Sequence, residues 1–134
     1  MVEQVLQAKR LRQVHYLKEK RNRVKSKRMK RRHFSNFDIA GFSYWDGAIV
    51  FNELKIGTQL RLEREKENQY DPKAVAIYFG EYKLGFVPRC ENDHISKLCE
   101  AGYDDIFDVR INRVSPDESP ENQIGVIVSL IHKN

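Results

Sequence analysis

The sequence is poor in cysteine and in long apolar runs. Its 134 residues include two cysteines, Cys90 and Cys99, which give no disulfide framework and are typical of a reducing compartment. No apolar run approaches the ~18 residues that a membrane-spanning helix needs. The N-terminus also lacks the apolar segment of a secretory signal. We therefore expect a cytoplasmic protein, or a nuclear one if the source is eukaryotic.

Motifs of catalysis and metal binding are scarce as well. The chain has no GxxxxGK phosphate loop, so ATP-driven work by this chain alone is not expected. His94 lies between Cys90 and Cys99, but neither spacing is that of a C-x2-C zinc pair. Cys99 falls on the apolar face of a predicted helix, where a thiol behaves as a small hydrophobic side chain. We expect no metal, no cofactor and no catalysis of its own.

The positive charge is concentrated at one end of the chain. Residues 1–33 contain 13 Lys and Arg against 2 Glu, a net charge of +11, whereas residues 34–134 carry −6. The chain therefore divides into a basic arm, 1–33, which is helical or partly disordered, and an acidic domain, 34–134. The arm has no Gly or Pro and is rich in good helix formers, so we expect a helix from about residue 3 to the low twenties. This asymmetry indicates a polyanionic partner such as nucleic acid.

The most basic part of the arm can neutralise phosphates. Each such contact makes affinity fall as salt rises, but it carries no information about base sequence. The same stretch can also be a solvated tail, or part of a helix that packs on an acidic partner. The expected phosphate contacts are Lys25, Lys27, Arg28, Lys30, Arg31 and Arg32.

The acidic domain predicts a small, mostly antiparallel barrel or curled sheet. One short helix is expected over 93–101, between a cap at Asn92 or Asp93 and the stop at Gly102. Residues 48–57 read as a loop with a helical turn. Strand patterns cover 37–45, 58–65, 74–79, 82–87, 106–114 and 124–131.

The polar loop between the second and third strands is the most distinctive stretch. It places Asn68, Tyr70 and Asp71 together before Pro72, which stiffens the loop. An aromatic ring beside an amide and a carboxylate on a strand-anchored loop is suited to recognition. The alternative is that Asn68 and Asp71 only supply turn chemistry.

Two further aromatic residues, Tyr44 and Trp45, end the first predicted strand. Unstacked bases can stack on such rings for about 1–3 kcal/mol each, without sequence preference. Because successive strand residues face opposite sides, one of the two rings is expected in the core. Trp45 is the expected core residue, since the hydroxyl of Tyr44 favours a wet or hydrogen-bonded position.

Four segments in this order resemble the HIRAN domain: 41–47 (GFSYWDG), 62–65 (LERE), 68–75 (NQYDPKAV) and 84–89 (LGFVPR). The resemblance covers about residues 37–131 and leaves the arm outside. It implies a small OB-like antiparallel β-barrel of about six strands with one or two short helices, preceded here by the basic helix. It further implies a module that captures the 3′-hydroxyl end of single-stranded DNA in repair, replication or remodelling.

The resemblance also assigns roles by motif position. Asp71 would accept a hydrogen bond from the terminal hydroxyl, and Tyr70 and Tyr44 would hold the last bases. Asn68 would orient the loop, and Arg89 would face a phosphate. Ser43 stands where characterised DNA-binding members carry a basic residue, so a phosphate contact is lost there and binding would depend more on the arm.

Two other functions stay open at this point. In the first, the chain is an interaction adaptor whose basic arm docks on an acidic partner, such as a helicase or another repair protein acting in trans. In the second, the carboxylates Glu63, Glu65, Glu67 and Asp71 serve a metal-dependent nuclease. Strand alternation explains the three glutamates equally well as solvent-facing residues.

Overall fold

The computed structural model describes residues 2–26 and 30–131, with side chains for 3–18 and 30–131. Within them, six strands form one antiparallel sheet: β1 (Arg31–Asp38), β2 (Gln59–Arg64), β3 (Val75–Phe79), β4 (Tyr82–Phe86), β5 (Phe107–Val114) and β6 (Ile124–Ile131). Their order in the sheet is β1-β6-β5-β2-β3-β4. Three α-helices accompany the sheet: α1 (Val2–Ser26), α2 (Gly47–Val50) and α3 (Asn92–Glu100).

The sheet curls until its two edges nearly meet. Ala40, just beyond β1, forms an isolated antiparallel bridge with Phe86 of β4. The Ala40 nitrogen lies 2.9 Å from the Phe86 oxygen, and the Phe86 nitrogen lies 2.8 Å from the Ala40 oxygen. Gly85 makes this approach possible, because its φ is 147° and a Cβ there would lie 2.4 Å from the carbonyl oxygen of Ala40. The predicted OB-like, mostly β fold with a helix before it is confirmed, although one bridge rather than a full ladder joins the edges.

The hydrophobic core lies inside the curl. Alternate residues of β2, Leu60 and Leu62, point into it, while β3 is buried along nearly its whole length. Each buried Val, Leu, Ile or Phe side chain contributes about 1.5–3 kcal/mol relative to an exposed one. Ile95 of α3 is fully buried against the core, so this helix is fixed to the sheet.

The first strand differs from its prediction. Residues 37–45 were expected to be extended, but β1 ends at Asp38 and residues 42–44 form a 3-10 turn. Gly41 has a φ of 70°, a left-handed conformation that breaks the strand. In the other direction, β1 begins at Arg31 because the basic residues there pair with the end of β6: Arg31 lies opposite Ile131. The pairing of a cationic segment with an apolar strand was not visible in the sequence pattern.

Helix α1 is longer than predicted and is docked on the domain. The Gln13 side chain is 2% exposed, and its Oε1 accepts a hydrogen bond from the Glu81 N–H at 3.1 Å. Lys9 forms an ion pair with Asp46 at 3.4 Å, and Leu17 packs against the core. The first part of the basic arm is therefore held over the β3–β4 turn. None of the described helices is long and apolar enough to cross a membrane.

Candidate nucleic-acid interface

A groove of about 380 Å³ opens at the point where the curled sheet closes. Both residues of the closing bridge, Ala40 and Phe86, line it, so the turn after β1 forms one wall. The loop between β2 and β3 forms another wall. The lining residues are Ala40, Gly41, Trp45, Glu65, Asn68, Tyr70, Asp71, Ala74, Phe86, Val87 and Arg89.

Asn68 organises the loop that forms the second wall. Its Oδ1 accepts hydrogen bonds from the backbone N–H groups of Tyr70 and Asp71, at 2.9 and 3.0 Å. Its Nδ2 donates to Oε1 of Glu65 at 3.2 Å. Asn68 therefore does supply turn chemistry, and this turn is what holds Tyr70 and Asp71 at the groove. The turn interpretation of the loop is therefore observed, and the recognition role of Tyr70 and Asp71 stays a prediction.

Asp71 is held from two sides and keeps acceptor capacity. Its Oδ1 accepts the backbone N–H of Lys73 at 3.0 Å, and its Oδ2 accepts Nδ2 of Asn92 at 2.9 Å. The side chain is 19% exposed, which leaves part of the carboxylate open to the groove. Because a carboxylate offers about four acceptor positions, these two bonds leave room for a hydroxyl donor from a ligand.

The role of Asn92 was missed by the sequence interpretation, which treated it as a helix cap. Asn92 is the first residue of α3 and is 2% exposed, and its amide donates to the carboxylate of Asp71. An Asn at a helix start is a strong cap signal, whereas a bond to a residue 21 positions away leaves no local pattern.

Arg89 places a cation at the rim of the groove. Its Nη2 donates to the backbone oxygen of Tyr70 at 3.0 Å, and its Nε lies 3.8 Å from Oδ2 of Asp71. The side chain is 75% exposed. A guanidinium carries five N–H donors, so the bond to Tyr70 fixes the group and leaves it able to contact a phosphate.

The aromatic residues differ from expectation in one respect. Tyr70 and Tyr44 are strongly exposed, but Trp45 is 43% exposed and lines the groove, so the prediction that it is a core residue is wrong. Residues 42–44 form a turn rather than a strand, and the alternation argument does not apply to them. The buried ring is Phe42, at 4% exposed. Tyr44 lies in the same turn but outside the set of lining residues.

Trp45 is held by a lysine that the sequence did not single out. Nζ of Lys83 lies 3.7 Å from the Trp45 ring centroid and 4.4 Å from that of Phe86. The same ammonium donates to Oε2 of Glu65, which had been interpreted as a solvent-facing residue. Ammonium groups over aromatic faces are attracted by the ring quadrupole. This contact and the edge-to-face packing of Trp45 on Phe86, with ring centroids 5.8 Å apart, together orient Trp45.

An ion pair also connects the loop between β2 and β3, called the groove loop below, to α3. Nζ of Lys73 contacts Oδ1 of Asp93 at 2.8 Å, and Lys97 contacts Oδ2 at 3.3 Å. The hydrogen bond from Lys73, followed by that from Lys97, lowers the pKa of the Asp93 carboxyl. The same bond to Asp93 raises the pKa of Lys73. Both groups are therefore charged near neutral pH, and their attraction holds the loop to the helix.

The Cys99 thiol and the possible metal ligands were the remaining candidates for chemistry in the sequence. Burial raises the pKa of the Cys99 thiol, which keeps it protonated at neutral pH and a poor nucleophile. Among residues 2–26 and 30–131, no three His, Cys, Asp or Glu side chains come close enough to hold a metal ion.

The expected phosphate contacts of the arm fall into three groups. Lys27 and Arg28 lie outside the described residues, and Lys25 lies in α1, where its side chain is not described. Lys30, directly before β1, and Arg32, near its start, are exposed. Nε of Arg31 contacts Oδ2 of the buried Asp108 at 2.8 Å, so part of its charge is neutralised within the protein.

One family model and two solved structures match this chain. The model of the HIRAN domain matches residues 33–130. A crystal structure of a protein from Lactobacillus plantarum superposes with a TM-score of 0.63 at 19% identity, covering 79% of this chain and all of that one. The crystal structure of the HIRAN domain of human HLTF gives a TM-score of 0.55 at 11% identity, over 75% of this chain and 76% of that one. These identities show a shared fold. No curated protein sequence matches the chain significantly.

Proposed function

This chain belongs to the HIRAN domain family, and from that premise we propose that it is a single-stranded DNA-binding module that recognises 3′-hydroxyl ends. It would act in DNA repair, replication or remodelling without catalysis of its own. The observation that carries this proposal is the groove in which Tyr70, Asp71 and Arg89 meet at one rim. The free thiols Cys90 and Cys99 suit a cytoplasmic or nuclear location.

The chemistry of a DNA 3′ end gives the Asp71 carboxylate a role in the groove. A 3′-hydroxyl can donate a hydrogen bond to Asp71, and a bond to a charged acceptor is shorter and stronger than a neutral one. A 3′-phosphate carries negative charge and would be repelled by the same carboxylate. Because Asn92 and the Lys73 N–H already hold Asp71 in place, the acceptor need not reorganise when the ligand arrives.

The remaining contacts serve affinity rather than end selection. Tyr70 and Tyr44 are exposed rings on which terminal bases can stack, for about 1–3 kcal/mol per base. The Arg89 guanidinium, fixed by Tyr70, would face a backbone phosphate. None of these groups reads a base edge, so binding would depend little on sequence.

The basic arm offsets the charge of the domain. Residues 34–134 carry −6 and would repel DNA, whereas residues 1–33 carry +11. Contacts from Lys25, Lys27, Arg28, Lys30, Arg31 and Arg32 would restore attraction. Their signature is a steep fall of affinity as the salt concentration rises.

The direct test is a fluorescence titration with a 5′-labelled thymidine oligonucleotide that ends in either a 3′-hydroxyl or a 3′-phosphate. We expect tighter binding of the hydroxyl form and a steep salt dependence for both forms. Equal affinity for the two ends, or binding of neither, would contradict the proposal.

One observation favours a protein-interaction adaptor as the second candidate. Helix α1 exposes Val5, Leu11 and Val14, which are 57%, 66% and 52% exposed, on an otherwise basic helix. An acidic partner, such as a helicase acting in trans, could pair with both the charge and these apolar residues. Capture of a partner that survives nuclease treatment and high salt would favour this function over DNA binding.

A further inference from the structure

Glu65 contacts both walls of the groove. Its Oε1 accepts the Asn68 amide, which organises the loop of Tyr70 and Asp71, and its Oε2 accepts the ammonium of Lys83. The backbone of Glu65 is fixed as well, since its N–H donates to the oxygen of Ala74 at 2.8 Å. One carboxylate directly after β2 therefore connects the loop wall to the wall that carries Trp45.

Lys83 is the link on the Trp45 side. Its side chain is 13% exposed, and its ammonium lies over both the Trp45 ring and the Phe86 ring. Its backbone exchanges hydrogen bonds with Asp46, whose N–H donates to the Lys83 oxygen at 2.8 Å and whose Oδ2 accepts the Lys83 N–H at 3.3 Å. Burying an ammonium group away from water destabilises the fold unless a counter-charge lies near it, and Glu65 supplies that charge.

We propose that the Glu65–Lys83 ion pair is a positioning device that couples the two walls, and that Trp45 is a third surface on which a nucleotide base stacks. This inference rests on the proposed function and adds its geometry. Glu65 keeps Lys83 over Trp45 and at the same time holds Asn68. One pair of charges thereby connects the stacking ring to the end-recognition loop.

Substitutions can separate the two bonds of Glu65. In Glu65→Gln the amide oxygen still accepts from Asn68, but the amide N–H group cannot accept from Lys83. The hydrogen bond to Asn68 is therefore kept, whereas Lys83 loses its counter-charge and no longer holds Trp45. Lys83→Ala removes the ammonium directly, and Lys83→Arg keeps a cation that can stack on the ring. Glu63→Gln is the matched control, because Glu63 lies on β2, is 54% exposed and pairs with Arg61.

The first measurement uses the protein without DNA. Trp45 is the only tryptophan in the chain, so acrylamide quenching of its emission reports on this wall alone. We expect a higher quenching constant in Glu65→Gln and Lys83→Ala, and wild-type values in Lys83→Arg and Glu63→Gln. A Glu65→Gln variant with unchanged quenching would show that the pair does not hold Trp45 and would overturn the inference.

The second measurement adds the 3′-hydroxyl oligonucleotide. We expect binding to shield Trp45 from acrylamide. We expect Glu65→Gln or Lys83→Ala to lower affinity by about two- to thirtyfold, the range from an exposed to a desolvated cation–π contact. The ratio of 3′-hydroxyl to 3′-phosphate affinity should stay at its wild-type value, because Asp71 is untouched. Absence of shielding would overturn the role of Trp45.

The double variant separates coupling from two independent effects. If Glu65 acts on Trp45 through Lys83, then Glu65→Gln in the Lys83→Ala background should cause no further loss of affinity. If the affinity loss of the double variant equals the product of the two single-variant losses, the coupling is overturned. A wild-type protein that still prefers the 3′-hydroxyl end would leave the proposed function intact in that case. If the wild type binds neither oligonucleotide, the proposed function fails, and quenching in the free protein still decides whether the pair positions Trp45.

Discussion

Asp71 has a structural role in the groove, and under the proposed function it also selects the strand end. Its two hydrogen bonds fix the carboxylate, and its partial exposure leaves acceptor positions toward the groove. In Asp71→Asn, the side chain keeps its shape but loses its charge. We therefore expect the preference for a 3′-hydroxyl over a 3′-phosphate to disappear, a loss of about 1.5–3 kcal/mol in discrimination.

The titration with the two oligonucleotide ends measures this change directly. Asp104→Asn is a suitable control, because it removes the same charge from an exposed turn after α3. An Asp71→Asn variant that still prefers the hydroxyl end by the wild-type ratio would assign the selection to another group.

The sequence identified some residues of the groove and missed others for a physical reason. Asn68, Tyr70 and Asp71 are neighbours in one loop, so their pattern is local and visible in the sequence. Lys83 meets Glu65 across 18 positions, and Asn92 meets Asp71 across 21. Such contacts are created by the antiparallel pairing of β3 with β4 and by the packing of α3. No spacing in the sequence reports them.

Among the secondary-structure elements, the turn after β1 and strand β4 depend on Gly85. A Cβ at this position would lie 2.4 Å from the oxygen of Ala40, and the φ of 147° already disfavours any side chain. We expect Gly85→Ala to lower the free energy of unfolding by about 1–3 kcal/mol through backbone strain. The clash of the new Cβ with the Ala40 oxygen should add to this loss. It should also weaken oligonucleotide binding, since Ala40 and Phe86 line the groove.

Gly57→Ala is the control for the Gly85 prediction. Gly57 has a φ of 92°, but nothing lies within 4 Å of an added Cβ, so this variant reports backbone strain alone. Urea unfolding of the two variants gives the cost of the closing contact as their difference. If the two variants lower the free energy of unfolding equally, the close approach of Gly85 to Ala40 does not contribute to stability.

The tie between the groove loop and α3 gives a pH dependence. Asp93 has a lowered pKa, so its pairing stabilises the fold above the ordinary value of 3.8 and is lost as the pH falls through the folded-state pKa. Lys73 has a raised pKa, so its contribution is present below 10.5 and is lost as the pH rises through the folded-state pKa. The tie therefore persists across the neutral range.

NMR titration of the Asp93 carboxyl checks this tie. We expect a pKa below 3.8 in the wild type and a rise toward that value in Lys73→Met. A smaller rise is expected in Lys97→Met, because the bond from Lys73 is the larger cause of the shift. A wild-type Asp93 that titrates at the ordinary value would show that the loop is not held by charge.

At the level of the whole molecule, the division of charge was readable from the sequence, but the placement of the arm was not. The counts alone separate a segment of +11 from one of −6. The docking of α1 depends on one buried amide, Gln13, which meets the Glu81 N–H across 68 positions. Closure of the sheet likewise depends on a single bridge, Ala40 to Phe86, which strand periodicity does not predict.

The docked helix dictates how the arm should be tested. Deleting residues 1–33 would remove the Gln13 and Leu17 contacts and the start of β1, so it would change stability as well as charge. Replacing Lys25, Lys27, Arg28 and Lys30 by Gln removes four charges and keeps these contacts. If all four cations contact phosphate, the slope of log K against log salt should become shallower by about 3, at roughly 0.7 per contact for single strands. The 3′-hydroxyl preference should stay unchanged, because it depends on Asp71; a preference that falls together with the slope would mean that the arm takes part in end recognition.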